Sequence, residues 1–189
     1  MAGSIPSMRQ AILMFHGIGT VPDYVDKDEV PYWVGWDMFQ ELVDWTIQSD
    51  ASKQVIFTFD DGNQSDIAAA RRLADAGLTA KFFVLAGRLE KPGYIGTAEL
   101  NELVAMGMEV GLHGRNHVDW RLANAASLQA ELLDARKQLA DTAGVQIRSV
   151  AIPFGGYNRR VMRRLLREDF DRIYTTDIGL AQRGSRIAP

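Results

Sequence analysis

The chain has 189 residues, of which 47% are hydrophobic and 24% are charged, and it contains no cysteine. This composition is typical of a globular protein, and the missing cysteines exclude a disulfide framework, a thiolate metal site and a cysteine nucleophile. The formal net charge of -3 argues against a broad nucleic-acid-binding face, which is usually basic.

Apolar runs alternate along the chain with segments of helical periodicity. The apolar runs predict buried strands at residues 11–15, 54–59, 81–85, 109–112, 149–152 and 172–175. The periodic segments predict helices at residues 36–48, 65–76, 97–106, 127–142 and 159–168. Such alternation favours an α/β fold with a mainly parallel sheet, in a single domain over residues 1–189. Residues 21–34 form the one long irregular stretch, and loops of this length often carry function.

The N-terminal segment offers no clear targeting signal. Its early basic residue, Arg9, is followed by an apolar run of only residues 11–15. A signal peptide needs a longer apolar core and a small-residue cleavage site, and no run reaches the about 18 apolar residues of a membrane span. The chain is therefore expected to be cytoplasmic, or secreted if a targeting segment has been removed, and to have no membrane span.

All three histidines and a pair of aspartates follow predicted strands. His16 follows the first strand, Asp60 and Asp61 end the second, and His113 follows the fourth, with His117 four residues later. Ligands gather at the C-terminal ends of parallel strands. These five side chains are therefore expected to meet in one site.

Two interpretations exist for each of these motifs. Asp-Asp-Gly is common turn chemistry, but adjacent carboxylates after a buried strand are unfavourable unless they are paired or bind a cation. A spacing of four places the imidazoles of His113 and His117 on one face of a helical turn, as two metal ligands would be; the alternative is one capping and one surface histidine. One carboxylate and two imidazoles would leave coordination positions open for water and substrate, as in a catalytic metal site.

The remaining side chains of this group could provide acid–base chemistry. A free carboxylate such as Asp60 could act as the general base. His16 could protonate a leaving nitrogen, or it could be a structural histidine at a strand end. Imidazole and carboxylate ligands suit Zn, Co, Ni or Fe, and Zn is the default because of its availability.

The order of these motifs resembles a known family. A Thr-Phe-Asp-Asp-Gly segment at residues 58–62 precedes a His-x-x-x-His segment at residues 113–117, as in the polysaccharide deacetylases of carbohydrate esterase family four, the NodB-homology domain. The resemblance extends from about residue 12 to residue 187 and implies a distorted, incomplete (β/α) barrel with its site at the strand C-terminal ends. By position, Asp60 resembles the family's catalytic base. The residues that resemble its three metal ligands are Asp61, His113 and His117.

The resemblance also implies a substrate wall. Residues 151–158 resemble the family's third motif, which forms one side of the groove. The residues expected to contact substrate are therefore Pro153, Phe154, Gly155 and Tyr157, with Trp120 as a further candidate for stacking on a sugar ring. Trp33 and Trp36 are also aromatic candidates, and for every tryptophan the alternative is ordinary packing.

Two features depart from the family pattern. Where many members carry an arginine near the base, this chain has Ala151, which implies a base that is tuned differently. No histidine follows His117, so the late Leu-x-His motif that supplies the general acid in many members is absent. Some members instead place the acid histidine at the end of the first strand, and Met14-Phe15-His16 matches that arrangement. His16 is therefore expected to be the general acid.

The resemblance implies a metal-dependent hydrolase that removes N-acetyl or similar acyl groups from amino sugars in oligosaccharides, polysaccharides or their precursors. The expected partner is a carbohydrate that carries an N-acyl amino sugar, without nucleic acid, and the oligomeric state is left open. Three alternatives remain: a related amide hydrolase for formyl or small cyclic amide substrates, a non-catalytic relative that binds sugar or metal, and a non-haem iron oxygenase. The last usually has a His-x-Asp pair, which this chain lacks.

Overall fold

The computed structural model of the protein describes residues 9–25 and 27–189. The prediction about a targeting signal depends partly on residues 1–8, which lie outside the described residues. Within the described part of the chain, no helix combines the length and the apolar character that a transmembrane span requires.

The strands are short, and most of them alternate with helices. In chain order the strands are β1 (Arg9–Phe15), β2 (Gly17–Ile18), β3 (Trp33–Val34), β4 (Val55–Asp61), β5 (Ala80–Val84), β6 (Glu109–Leu112), β7 (Ser149–Ala151), β8 (Arg172–Tyr174), β9 (Ala181–Gln182) and β10 (Ile187–Ala188). The helices are α1 (Trp36–Gln48), α2 (Asp66–Asp75), α3 (Thr97–Ala105), α4 (Ala125–Gln129), α5 (Ala135–Ala143) and α6 (Arg159–Arg167). A π-helical turn, Ala130–Asp134, joins α4 to α5 in one continuous helical segment.

Eight strands form one sheet in the order β10-β8-β7-β6-β5-β4-β1-β9, and β2 pairs separately with β3. Neighbours in the large sheet are parallel, except that β9 runs antiparallel to β1. The two edge strands, β9 and β10, contact each other, so the sheet is nearly closed into a barrel. This arrangement confirms the predicted α/β class and the incomplete barrel.

Both faces of the sheet are buried, which explains why the predicted strands are continuous apolar runs. In β5, Phe82 and Phe83 are adjacent and therefore point to opposite faces. Phe82 stacks on Phe59 in the layer between the sheet and the helices. Phe83 packs against Tyr174 in a small second core inside the barrel.

Every predicted strand and helix is present, with end positions that shift by no more than two residues. The irregular stretch at residues 21–34 ends in a 3-10 turn, Val30–Tyr32, and in β3. The strands that the sequence did not predict are β2, β3, β9 and β10, each of two residues. A two-residue strand is too short to show periodicity.

Candidate active site

The sheet brings the five predicted chemical residues to one end of the barrel. His16 directly follows β1, and Asp61 ends β4. Through the pairing of β4 and β6 with β5, Asp61 is level with Leu112, and His113 is the next residue. His117 returns to the same point through the loop after β6, so the prediction that these residues lie together agrees with the geometry.

The buried carboxylate of Asp61 lies at the centre of this cluster. Its Oδ1 atom is 3.8 Å from Nε2 of His113 and 3.7 Å from Nε2 of His117. Its Oδ2 atom is 3.4 Å from Nδ1 of His16. Nη1 of Arg88, from the loop after β5, is 3.9 Å from Oδ1. Asp61 therefore faces two imidazoles through one oxygen and a third imidazole through the other.

The three predicted ligands fit a divalent metal. Both carboxylate oxygens of Asp61 are buried and lack a hydrogen-bond donor among the described residues. Ligand atoms of Asp61, His113 and His117 lie within 4.8 Å of one another. Two ligands of a tetrahedral metal, bound at about 2.0–2.1 Å, are roughly 3.3 Å apart. The distances from Oδ1 of Asp61 to Nε2 of His113 (3.8 Å) and of His117 (3.7 Å) exceed that separation by only about 0.5 Å or less. Nδ1 of His113 is 3.1 Å from the carbonyl oxygen of Ala151; donation to that oxygen leaves Nε2 to face Asp61.

The protonation states agree with metal binding. Burial lowers the pKa of His113 to about 4, and the pKa of His117 also falls to about 4, chiefly through burial. Burial opposes ionisation of Asp61, but contact with His16 and the charges of His113 and His117 hold its pKa well below the usual range. At neutral pH the group therefore contains two neutral imidazoles and one carboxylate, which are the forms that bind a metal.

A cleft of about 250 Å³ opens beside these ligands and is lined by both predicted catalytic residues, Asp60 and His16. Burial raises the pKa of Asp60 to about 7; the charge of His16 opposes the rise and the charge of Asp61 adds to it. Among the described residues no ion pair involves Asp60, whereas Arg88 approaches Asp61. Burial and two neighbouring charges, rather than an arginine, thus set the acidity of Asp60.

His16 is held through both its ring and its backbone. The ring stacks on Tyr32 with centroids 4.7 Å apart, and the backbone carbonyl of His16 accepts a 2.5 Å hydrogen bond from Nδ2 of Asn63. Burial lowers the pKa of His16, but contact with Asp61 and the charge of Asp60 outweigh it, so the pKa is raised overall. The imidazolium form, which can donate a proton, is therefore favoured at the edge of the cleft.

The predicted helical turn between His113 and His117 is wrong. Gly114 has φ +91°, His117 has φ +54°, and neither value occurs in a right-handed helical turn. Oε2 of Glu131 accepts hydrogen bonds from the backbone N–H groups of Arg115 (2.7 Å) and Asn116 (3.2 Å). A Cβ on Gly114 would lie 2.6 Å from the same carboxylate oxygen. The imidazoles converge because this loop wraps around Glu131.

The third-motif residues contribute unequally to the cleft. Phe154 lines it and is 62% exposed, with its ring centroid 4.2 Å from that of His117. Pro153 is buried beneath this turn. Gly155 and Tyr157 lie outside the lining of the cleft. The geometry therefore favours Phe154 as the contact to substrate, and the other three residues remain predictions.

The prediction of Trp120 as a sugar-stacking residue is wrong. Trp120 is fully buried in the hydrophobic core, so its ring cannot meet a ligand. Trp36 packs against Phe39, and the ring of Trp33 occupies the space beside Gly17. For these tryptophans ordinary packing is the interpretation that agrees with the structure, because the sequence shows an aromatic type and not its exposure.

The structure adds site residues that the sequence did not identify. Glu29 and Tyr32 line the cleft, and Oε1 of Glu29 is 3.8 Å from Nδ1 of His117. Together with His16 and Asp61, Glu29 forms a second group of ligand-type side chains. Both new residues belong to the acidic and aromatic stretch at residues 21–34, and that composition was the available signal.

Comparisons with known proteins agree with this geometry. The model described as polysaccharide deacetylase matches residues 48–171. No curated protein sequence matches the chain. Among solved structures, a polysaccharide deacetylase from Bacillus cereus has a TM-score of 0.80 at 20% identity, over 91% of this chain and 59% of that chain. The chain thus spans about three fifths of that protein.

Two other solved structures are covered more completely. The deacetylase PplD from Streptococcus pyogenes, in complex with acetate, has a TM-score of 0.81 at 20% identity, over 95% of this chain and 90% of that chain. IcaB from Ammonifex degensii has a TM-score of 0.75 at 20% identity, over 95% and 91%. These likenesses show a shared fold, and the family match covers more than half of the chain. The chain therefore belongs to the polysaccharide deacetylase family.

Proposed function

We propose that the protein is a metal-dependent hydrolase that removes N-acetyl or similar acyl groups from amino sugars in oligosaccharides, polysaccharides or their precursors. The observation that carries this proposal is the convergence of Asp61, His113 and His117 beside a cleft lined by Asp60 and His16. The family match supports the substrate class. The similar S. pyogenes deacetylase was solved with acetate, the product that removal of an acetyl group would release.

Asp61, His113 and His117 would hold the metal, which when bound would polarise the acyl carbonyl and lower the pKa of a water molecule. Zn is the default by availability, and the same ligands suit Co, Ni or Fe. Asp60, adjacent in sequence to Asp61, lines the cleft and would act as the general base.

In the proposed reaction Asp60 takes a proton from a water molecule while the oxygen of that water forms a bond to the acyl carbon. A backbone N–H near Phe154 donates to the oxyanion that forms on the former carbonyl oxygen. His16 then gives its proton to the sugar nitrogen as the carbon–nitrogen bond breaks. The products are a carboxylate and a free amino sugar, so one water is consumed for each acyl group removed.

The test is acetate release from short N-acetylglucosamine oligomers. Protein stripped with a chelator and reloaded with Zn, Co or Ni should release acetate, whereas the stripped protein should not. Asp60→Asn should lower kcat by about 10²–10⁴-fold, as expected for loss of a general base, and should still bind one metal. An Asp60→Asn variant with full activity would show that the base is misassigned. Stoichiometric metal binding without acetate release would favour another acyl substrate or a binding protein.

A further inference from the structure

Helix α6 carries a concentrated positive charge on a protein of net charge -3. Five of its nine residues are arginine: Arg159, Arg160, Arg163, Arg164 and Arg167. At 100° per residue these arginines all fall on one half of the helix. Val161 and Leu165 occupy the other half and are buried. The helix thus needs its apolar half for packing, and packing does not explain the arginine half.

The arginines line a groove rather than a flat patch. With Ala125 and Leu128 of α4, they enclose about 480 Å³, and no acidic residue is part of the lining. This volume lies in the range of about 300–1,000 Å³ that is usual for ligand sites. A concave surface with a basic lining of this size can bind an anionic chain segment.

Two of the five arginines have structural roles. Nη2 of Arg160 donates to three backbone carbonyls in the segment at residues 120–123, at 2.7–3.2 Å. Arg164 forms an ion pair with Glu168, with Nε and Oε1 2.9 Å apart. These contacts fix the wall of the groove.

The other three arginines are available to a ligand. Arg159, Arg163 and Arg167 are exposed, and their side chains form no hydrogen bond or ion pair with any residue that the structure describes. They are four residues apart, so they form a row on one face of α6, with neighbouring Cβ atoms about 5–6 Å apart. A row of unpaired guanidinium groups is suited to an extended chain with repeated negative charges.

The groove begins close to the cleft. Phe154 lines the cleft and Arg159 lines the groove, and five residues span at most about 18 Å. A second segment of the chain also connects the two surfaces, because His117 lines the cleft and Ala125 lines the groove. One end of the groove therefore lies within the length of a short oligosaccharide from the cleft.

We propose that the groove along α6 binds the anionic groups of an acidic polysaccharide whose acylated amino sugar occupies the cleft. Guanidinium groups bind carboxylates and phosphates in a bidentate manner, which makes Arg159, Arg163 and Arg167 the contacts. The inference rests on the proposed function, because it assigns a charge to the substrate of that site. A concave groove along one short helix suits a single glycan chain better than a flat membrane surface or a nucleic-acid duplex.

The test is calorimetric binding of two probes of equal length. Hyaluronan oligosaccharides alternate N-acetylglucosamine with glucuronic acid, and N-acetylglucosamine oligomers are neutral. The protein should bind the acidic probe more tightly, and the difference should shrink between about 0.05 M and 0.5 M salt because exposed charges are screened. The variant R159Q/R163Q/R167Q should bind the acidic probe about tenfold more weakly.

A matched control separates the groove from net charge. R9Q/K53Q/R183Q removes the same three charges near the start of β1, where Arg9 pairs with Gln182 and the Lys53 carbonyl accepts a hydrogen bond from Gln10. This variant should keep the affinity of the unsubstituted protein for the acidic probe. An equal loss in both variants would overturn the inference, because binding would then follow overall charge. Circular dichroism would establish that both variants are folded.

The result also distinguishes the inference from the proposed function. Binding needs no turnover, so selective loss in the α6 variant supports the groove even if no acetate is released. Acetate release together with equal affinity for both probes would support the proposed deacetylase activity but would overturn the proposed role of the groove in binding an acidic polysaccharide. Binding to phosphatidylserine vesicles that the α6 variant loses, without any preference for the acidic probe, would identify a membrane-binding surface and overturn the inference.

Discussion

Three site residues have a backbone conformation that L-amino acids seldom adopt. Asp61 has φ +77°, His117 has φ +54° and Phe154 has φ +57°, and in the described chain only Asp50 and Glu90 are other non-glycine residues with positive φ. Such conformations are unfavourable by about 1–3 kcal/mol each and persist only where the surroundings enforce them. Their concentration at two proposed metal ligands and the cleft wall indicates that the fold fixes these side chains at some expense in stability.

His117 lies between two carboxylates. Its Nε2 atom is 3.7 Å from Asp61 and its Nδ1 atom is 3.8 Å from Glu29. A carboxylate behind a metal-binding imidazole orients the ring and raises its basicity. Glu29 is therefore expected to position His117 without touching the metal.

Glu29→Gln should weaken metal affinity by about 10–100-fold, because the amide does not orient His117 or raise its basicity as the carboxylate does. The measurement is competition for Zn or Co against a chromophoric chelator, with no substrate present. Asp28→Asn is the matched control, since Asp28 also lines the cleft and loses the same charge. An equal loss of metal affinity in both variants would mean that Glu29 acts only through its negative charge and does not position His117.

At this scale the sequence predicts which side chains carry the chemistry but not how the backbone presents them. Asp61 and His113 could be placed because parallel strands end at one edge. The backbone path from His113 to His117 could not be predicted, because it depends on the buried carboxylate of Glu131, which belongs to a later helical segment. The burial of Trp120 was equally hidden, since exposure is decided by tertiary packing.

Helix α1 ends in a hydrogen-bonded motif that favours glycine. The N–H of Ala51 donates to the carbonyl of Thr46, and the N–H of Asp50 donates to the carbonyl of Ile47. This pattern is the Schellman motif, and Asp50 occupies its left-handed position with φ +49°. Glycine adopts this conformation without a steric penalty.

Asp50→Gly should raise the free energy of unfolding by roughly 0.5–1 kcal/mol, because relief of the left-handed strain exceeds the added freedom of the unfolded chain. Urea unfolding measures the change. Asp75→Gly is the matched control: Asp75 is an exposed helical residue at the end of α2, so the same substitution should lower stability by about as much. A loss of stability in both variants would contradict the assignment of strain at Asp50.

The elements that the sequence predicts are those with enough length to show a pattern. The helix at residues 36–48 and the strand at residues 109–112 have the bounds that periodicity indicates. The strands β9 and β10 depend on pairing with β1 and β8 rather than on their own residues. Closure of the barrel by these two strands is therefore a tertiary property that no local pattern shows.

The proposed metal ligands come from parts of the chain that only the complete barrel brings together. Asp61 ends β4, whereas His113 and His117 follow β6, on the far side of β5. An unfolded chain has no such preformed site, so metal binding adds to the stability of the folded state. The whole molecule, and not one local segment, is therefore expected to respond to the metal.

Saturating Zn should raise the melting temperature of chelator-stripped protein. At 100 times the dissociation constant the stabilisation is about 2.7 kcal/mol, which corresponds to roughly 5–11 °C for a chain of this size. His113→Ala should abolish the shift, whatever its own melting temperature, because one of three ligands is lost. Asp60→Asn should retain the full shift, since Asp60 lines the cleft and is not a predicted ligand. A melting-temperature shift that persists in His113→Ala would show that the metal binds elsewhere. Loss of the shift in Asp60→Asn would show that Asp60 is a metal ligand, and the general base would then be another group of the cleft.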